Sequence, residues 1–139
     1  MIGRVHRVRV YYEDTDAGGV VYHARYLAFA ERARTEALRD AGVPHADMVA
    51  EHGVIFMVRR LEMEYLRPAR LDDMLTIGTE SIASSGATVT LRQAFFIDAA
   101  PIATARVVLA CVRAATGVPA RIPSRWRAAL SSAAPEVAA

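Results

Sequence analysis

One run in this chain keeps a helical period over many residues, and it constrains what the remainder can be. From about Val21 to Arg39, apolar or small side chains recur at Tyr26, Leu27, Ala30, Ala33, Ala37 and Leu38, in steps of three and four. Arg25, Glu31, Arg32, Glu36 and Arg39 fall on the opposite side, and Gly42 and Pro44 supply stop signals. The pattern predicts a helix of about four to five turns. A helix with one apolar stripe needs another element to cover that stripe.

The cover is written as strands. Ahead of the helix Val8, Val10 and Tyr12 alternate with Arg7, Arg9 and Tyr11, the period-two signature of a strand with one buried face. Beyond it, residues 54–65, 74–83, 87–97 and 102–112 are rich in β-branched or aromatic side chains, separated by turn-forming segments at 67–73, 84–86 and 98–101. Connections this short predict that successive strands are antiparallel neighbours. The expected class is α+β: a long central helix wrapped by a five-stranded antiparallel sheet. A short helical turn is expected within 45–52 and an amphipathic turn at 124–130, with residues 131–139 small, alanine-rich and frayed.

Size and composition narrow the choices. At 139 residues and 53% hydrophobic, the chain is read as one domain that buries a core without staples. The single Cys111 cannot crosslink the fold and reads as a buried core thiol within a strand. The first residues lack the apolar centre of a secretory signal, and no apolar run approaches the roughly 20 residues that cross a bilayer, so a cytoplasmic protein with no membrane span is expected. All 17 basic residues are arginine, which removes a Schiff-base lysine and a lysine-dependent phosphate loop. With a net charge of only +2 and arginines interspersed with acids, nothing points to nucleic acid.

Candidate chemistry concentrates between the first strand and the helix, where Glu13, Asp14 and Asp16 are followed by Gly18 and Gly19. An aspartate ahead of a helix commonly caps it, and Asp14 is assigned to capping or loop structure. The spacing echoes the start of a calcium loop, yet the twelfth position, where a bidentate glutamate belongs, is Arg25. His6, His45 and His52 have no metal-ligand spacing with one another or with Cys111, so no metal and no cofactor is expected. No Gly-x-Ser-x-Gly elbow is present.

The run Arg7-Val8-Arg9-Val10-Tyr11-Tyr12-Glu13-Asp14-Thr15-Asp16-Ala17-Gly18-Gly19-Val20-Val21-Tyr22-His23 continues through Tyr26 and Glu31-Arg32-Ala33-Arg34. It resembles the signature of the hotdog-fold thioesterases of the 4-hydroxybenzoyl-CoA type, and most closely their Tol-Pal-associated acyl-CoA thioesterase branch. A second similar block is Tyr65-Leu66-Arg67-Pro68-Ala69-Arg70-Leu71-Asp72-Asp73-Met74-Leu75. The resemblance spans about residues 5–115 and leaves 116–139 as a C-terminal extension.

The resemblance implies a single hotdog domain that hydrolyses an acyl-CoA, with subunits paired edge to edge as a homodimer or homotetramer and active sites at the interface. An acyl carrier protein is a further partner it allows. The family carboxylate falls on Asp16, acting as nucleophile or as general base. The oxyanion donor is a backbone N–H at the first turn of the helix, which falls on His23, whose imidazole is an alternative base. Gly19, Tyr22, Tyr26, Arg59 and Arg67 are the expected substrate contacts, with Arg60 and Arg70 as further arginines that could meet the CoA phosphates. The basic turn of the aromatic-substrate relatives is here Ala83-Ser84-Ser85-Gly86-Ala87, a departure at one phosphate position. Two other readings stay open: an acyl-CoA or acyl carrier protein binder that does not turn over, and a hydroxyacyl-thioester dehydratase.

Overall fold

The computed structural model describes residues 4–131. In chain order the elements are β1 (Arg4–Arg9), a 3-10 turn at Tyr12–Asp14, α1 (Arg25–Asp40), α2 (His45–His52), β2 (Val54–Tyr65), β3 (Met74–Ser84), β4 (Thr88–Ile97), β5 (Ala100–Arg113) and α3 (Ser124–Ser131). The five strands form one antiparallel sheet in the order β1-β3-β4-β5-β2. The expected α+β architecture is therefore present, a five-stranded antiparallel sheet with its helices. The expectation of fraying at 131–139 falls, from residue 132 on, outside the described residues.

Neighbour order needs one correction. β3, β4 and β5 follow one another through tight connections and pair as expected, but β2 and β3 lie far apart in the sheet, β2 pairing with β5 and β3 with β1. The segment between them is too long for a tight hairpin and holds Pro68, which has no N–H to give a ladder. It crosses over to the start of α1 instead: Ala69 C=O accepts the Val21 N–H at 2.8 Å, and Val20 bridges Arg70.

The helix begins four residues later than the periodicity suggests, because Val21 is held in a bridge to Thr15. Its buried face is Tyr26, Phe29, Ala30, Ala33, Arg34, Ala37 and Leu38. Leu27, assigned to that face from sequence, is 37% exposed, and Phe29 takes the core position. Alanine at three of those positions lets the helix lie close on the sheet, whose inward residues alternate as Leu75, Ile77 and Thr79 on β3 and Leu91, Gln93 and Phe95 on β4. At the far end Gly42 takes φ +81, a left-handed cap that turns the chain so that the Val43 N–H donates to Leu38 C=O.

Two apolar clusters fill the space between helices and sheet. One surrounds the first half of α1, with Val10, Val21, Tyr26, Phe29, Leu75, Ile77 and Phe95. The other gathers Leu38, Val43, Met48, Leu91, Leu109, Cys111, Trp126 and Leu130 around its second half, so α2 and α3 complete the main core. Cys111 is buried there, and burial pushes its thiol pKa up. Among the described residues no helix is long and apolar enough to cross a membrane.

A buried polar group sits between the clusters. Arg34 Nη1 donates to Gln93 Oε1 at 3.1 Å, while Gln93 Nε2 donates to Ala30 C=O at 2.9 Å and to Thr79 Oγ1 at 3.0 Å. Gln93 thus ties helix to sheet and gives a buried guanidinium an acceptor. Gln93→Leu removes that acceptor, and roughly 2–4 kcal/mol of stability is expected to go with it in urea unfolding. Adding Arg34→Met should restore part of the loss, since the uncompensated charge is then gone as well.

Candidate active site

The loop between β1 and α1 is held by Asp14. Only 3% exposed, its Oδ2 accepts the Tyr11 N–H and its Oδ1 the Arg25 Nε–H, each at 2.8 Å, while its carbonyl accepts the Tyr22 N–H. This carboxylate fastens both ends of the loop to the first residue of α1, the structural role expected of it. Glu13 is exposed, 3.9 Å from Arg25.

Asp16 is built differently. It is exposed, its Oδ1 accepts the Gly18 N–H at 2.8 Å, its N–H donates to Val20 C=O and its carbonyl accepts the Gly19 N–H. The turn fixes one carboxylate oxygen and leaves Oδ2 without a partner among the described residues. Both glycines shape this turn. A Cβ at Gly18 would stand 3.2 Å from Asp16 Oδ1, and Gly19 has φ +78, which a side chain disfavours. Gly19→Ala is expected to cost roughly 1–2 kcal/mol in denaturant unfolding, the penalty of a left-handed backbone with a Cβ.

Across from this turn, the end of β2 and the crossover close a hollow of about 310 Å³, lined by Asp16, Val20, Val21, His23, Tyr26, Tyr65, Leu66, Arg67 and Pro68. Tyr65 Oη donates to His23 C=O at 2.8 Å, and Tyr26 stands edge-on to both Tyr65 and Phe95. Burial raises the pKa of both tyrosines, at Tyr26 against a lowering by a hydrogen bond with the Ala69 backbone, so both are neutral hydroxyls at pH 7. Where the chain turns into α1, the N–H groups of His23 and Ala24 have no acceptor among the described residues. Such unpaired donors at a helix start carry partial positive charge.

Four residues singled out from sequence, Asp16, His23, Tyr26 and Arg67, thus share one hollow, with Gly19 in the turn that presents Asp16. Tyr22 does not line it; its ring leans on that of His23, 4.6 Å away. Nor does Arg59, which sits in β2 at a bulge, where the register with β5 jumps from Val58 to Arg60. Tyr65 and Leu66 were not singled out, although their block carried part of the signature. Among the described residues no group of acidic, histidine or cysteine side chains is arranged to hold a metal.

The family model for the thioesterase-like superfamily matches residues 10–130. The chain belongs to that superfamily. It is 44% identical over 122 residues to the acyl-CoA thioesterase YbgC of Haemophilus influenzae, covering 88% of this chain and 90% of that protein. To the acyl-CoA thioester hydrolase YbgC of Escherichia coli it is 57% identical over 86 residues, 62% of this chain and 63% of that one. Among solved structures, a probable thioesterase from Bartonella henselae superposes with a TM-score of 0.81 at 38% identity, covering 86% of this chain and 98% of that one. The superfamily assignment takes in the whole Asp16 hollow, since every residue lining it lies within 10–130.

Proposed function

We propose that this protein is a cytoplasmic acyl-CoA thioester hydrolase whose reaction takes place in the Asp16 hollow. The observation that carries this reading is the pairing, in one open hollow, of a carboxylate oxygen and two backbone N–H groups at a helix start, all without a partner among the described residues. Hydrolysis of a thioester needs those two things. The N–H groups of His23 and Ala24 would hold the carbonyl oxygen as it gains negative charge. Asp16 would either take a proton from water attacking the carbonyl carbon or attack that carbon itself to form an anhydride that water then hydrolyses; in both routes the carbon–sulfur bond breaks, CoA leaves as the thiol and the acid is released. Arg67, exposed at the rim, is placed to meet a CoA phosphate, and Arg70 follows three residues on.

The free edge of β2 supports assembly. Among the described residues β2 has only β5 beside it, and Met57 and Val58 in its first half are each 51% exposed, an unpaired strand edge with apolar side chains. A second copy pairing antiparallel along this edge would continue the sheet and cover them. Thiol release from acyl-CoA by the purified protein, followed with a thiol reagent, tests the activity. Saturable binding of acyl-CoA without thiol release would favour a binding protein and overturn this reading.

A further inference from the structure

The two N–H groups at the start of α1 belong to successive peptide groups, and each peptide is held through its carbonyl. A planar trans peptide sets its C=O and N–H in opposite directions, so a hydrogen bond that holds the oxygen also aims the hydrogen. In the peptide joining Tyr22 to His23, Tyr22 C=O accepts the Arg25 N–H at 2.8 Å, which aims the His23 N–H. Arg25 is tied in turn to Asp14 at 2.8 Å, so this donor is fixed from within the loop and the helix.

The next peptide, from His23 to Ala24, has no such local tie. In a regular α-helix His23 C=O would accept from the N–H four residues on, but the Leu27 N–H donates to Ala24 C=O at 3.2 Å instead. Among the described residues the donor that reaches His23 C=O is the Tyr65 hydroxyl, at 2.8 Å. Tyr65 ends β2 in register with Ala103 of β5. Its ring stands edge-on to Tyr26 at 5.2 Å, and Tyr26 stands edge-on to Phe95 at 5.5 Å. The hydroxyl is therefore aimed by the sheet and by an aromatic row of the core, independently of the loop that carries Asp16.

We propose that Tyr65 is a positioning residue for thioester hydrolysis: by holding His23 C=O, its hydroxyl aims the Ala24 N–H as the second donor to the oxyanion, beside the His23 N–H. The inference rests on the reading of the Asp16 hollow given above. A proton donated to the carbonyl also polarises the amide and strengthens its N–H as a donor. Oxyanion donors act on charge that develops in the transition state, so the hydroxyl should govern kcat and leave substrate binding alone.

Tyr65→Phe keeps the ring and its contact with Tyr26 and removes the hydroxyl alone. In thiol release from acetyl-CoA by the full chain, it should lower kcat about tenfold, less than outright loss of an oxyanion donor, with KM within about twofold and the melting temperature unchanged. Ala24→Pro deletes the donor itself. Ala24 has φ −74, which proline adopts, and its N–H has no partner to lose among the described residues. This change should lower kcat roughly a hundredfold, and adding Tyr65→Phe to it should cost nothing further, because the group that Tyr65 aims is gone. A wild-type kcat in either single variant, an equal fold-loss from Tyr65→Phe in both backgrounds, or a rise in KM with kcat unchanged overturns the positioning role and leaves Asp16 in place. So does a loss of kcat in Tyr65→Phe that is matched by a lower melting temperature. If Ala24→Pro does not fold by circular dichroism, the division of the Tyr65→Phe effect between kcat and KM decides alone. A wild-type protein that releases no thiol from any acyl-CoA overturns both readings.

Discussion

Asp16→Asn is expected to lower thiol release from acyl-CoA by roughly a thousandfold, within the 10²–10⁴ range for a positioned acid or base, while the melting temperature stays where it is. The expectation of an intact fold comes from the side chain's surroundings. Asp16 is exposed and its one structural bond, from the Gly18 N–H to Oδ1, is one that an asparagine oxygen also accepts. What the variant loses is the charge of Oδ2, the oxygen without a partner among the described residues. A thousandfold corresponds to about 4 kcal/mol of transition-state stabilisation, more than a surface change in binding would give. Asp14→Asn should behave in the opposite way, because that carboxylate is buried against the Arg25 Nε–H at 2.8 Å and holds the loop in place. Single turnover in isotopic water tests the covalent route for Asp16: label entering its carboxylate requires a covalent anhydride and excludes attack by water alone. A wild-type rate in a folded Asp16→Asn protein would remove Asp16 from the mechanism.

What the sequence disclosed followed from how local each signal is. β-branched and aromatic content marked β3, β4 and β5 as strands, and these strands are adjacent because their connections are too short to do anything else. The same reasoning misplaced β2 relative to β3, since a longer connection with a proline fixes no neighbour, and the sheet order depends on contacts among β2, β5 and the crossover at Ala69. Leu27 and Phe29 show the limit of periodicity: both fit a helix, and only the direction in which α1 meets Phe95 and Leu75 decides which is buried. In the candidate site, Asp16 and His23 are close in sequence and were legible together. Tyr65, 42 residues beyond His23, and Leu66 next to it arrive through a fold-dependent contact, the Tyr65 hydroxyl on His23 C=O. Arg59 could not be placed from alternation, because a bulge adjoining it breaks the two-residue period.

Trp126→Ala is expected to cost roughly 3–5 kcal/mol, the range for deleting a buried aromatic side chain. For a small domain whose whole stability is typically about 5–15 kcal/mol, that is enough to lower the melting temperature by about 10–20 °C. The indole is 0% exposed, packed in the cluster with Val43, Met48 and Cys111, and its Nε1–H donates to Val43 C=O at 2.9 Å. Arg125 lies over the ring at 5.1 Å and His52 meets it edge-on. Trp126→Phe keeps most of the volume but leaves the Val43 carbonyl without its donor, so it should cost less, about 1–3 kcal/mol. Neither change touches the cluster around Tyr26, Phe29 and Phe95 that supports the Asp16 hollow. Below its lower melting temperature, the Trp126→Ala protein should therefore retain thiol release from acetyl-CoA, the inverse of the Asp16→Asn result. A melting temperature unchanged by Trp126→Ala would mean that α3 is not part of the cooperative core.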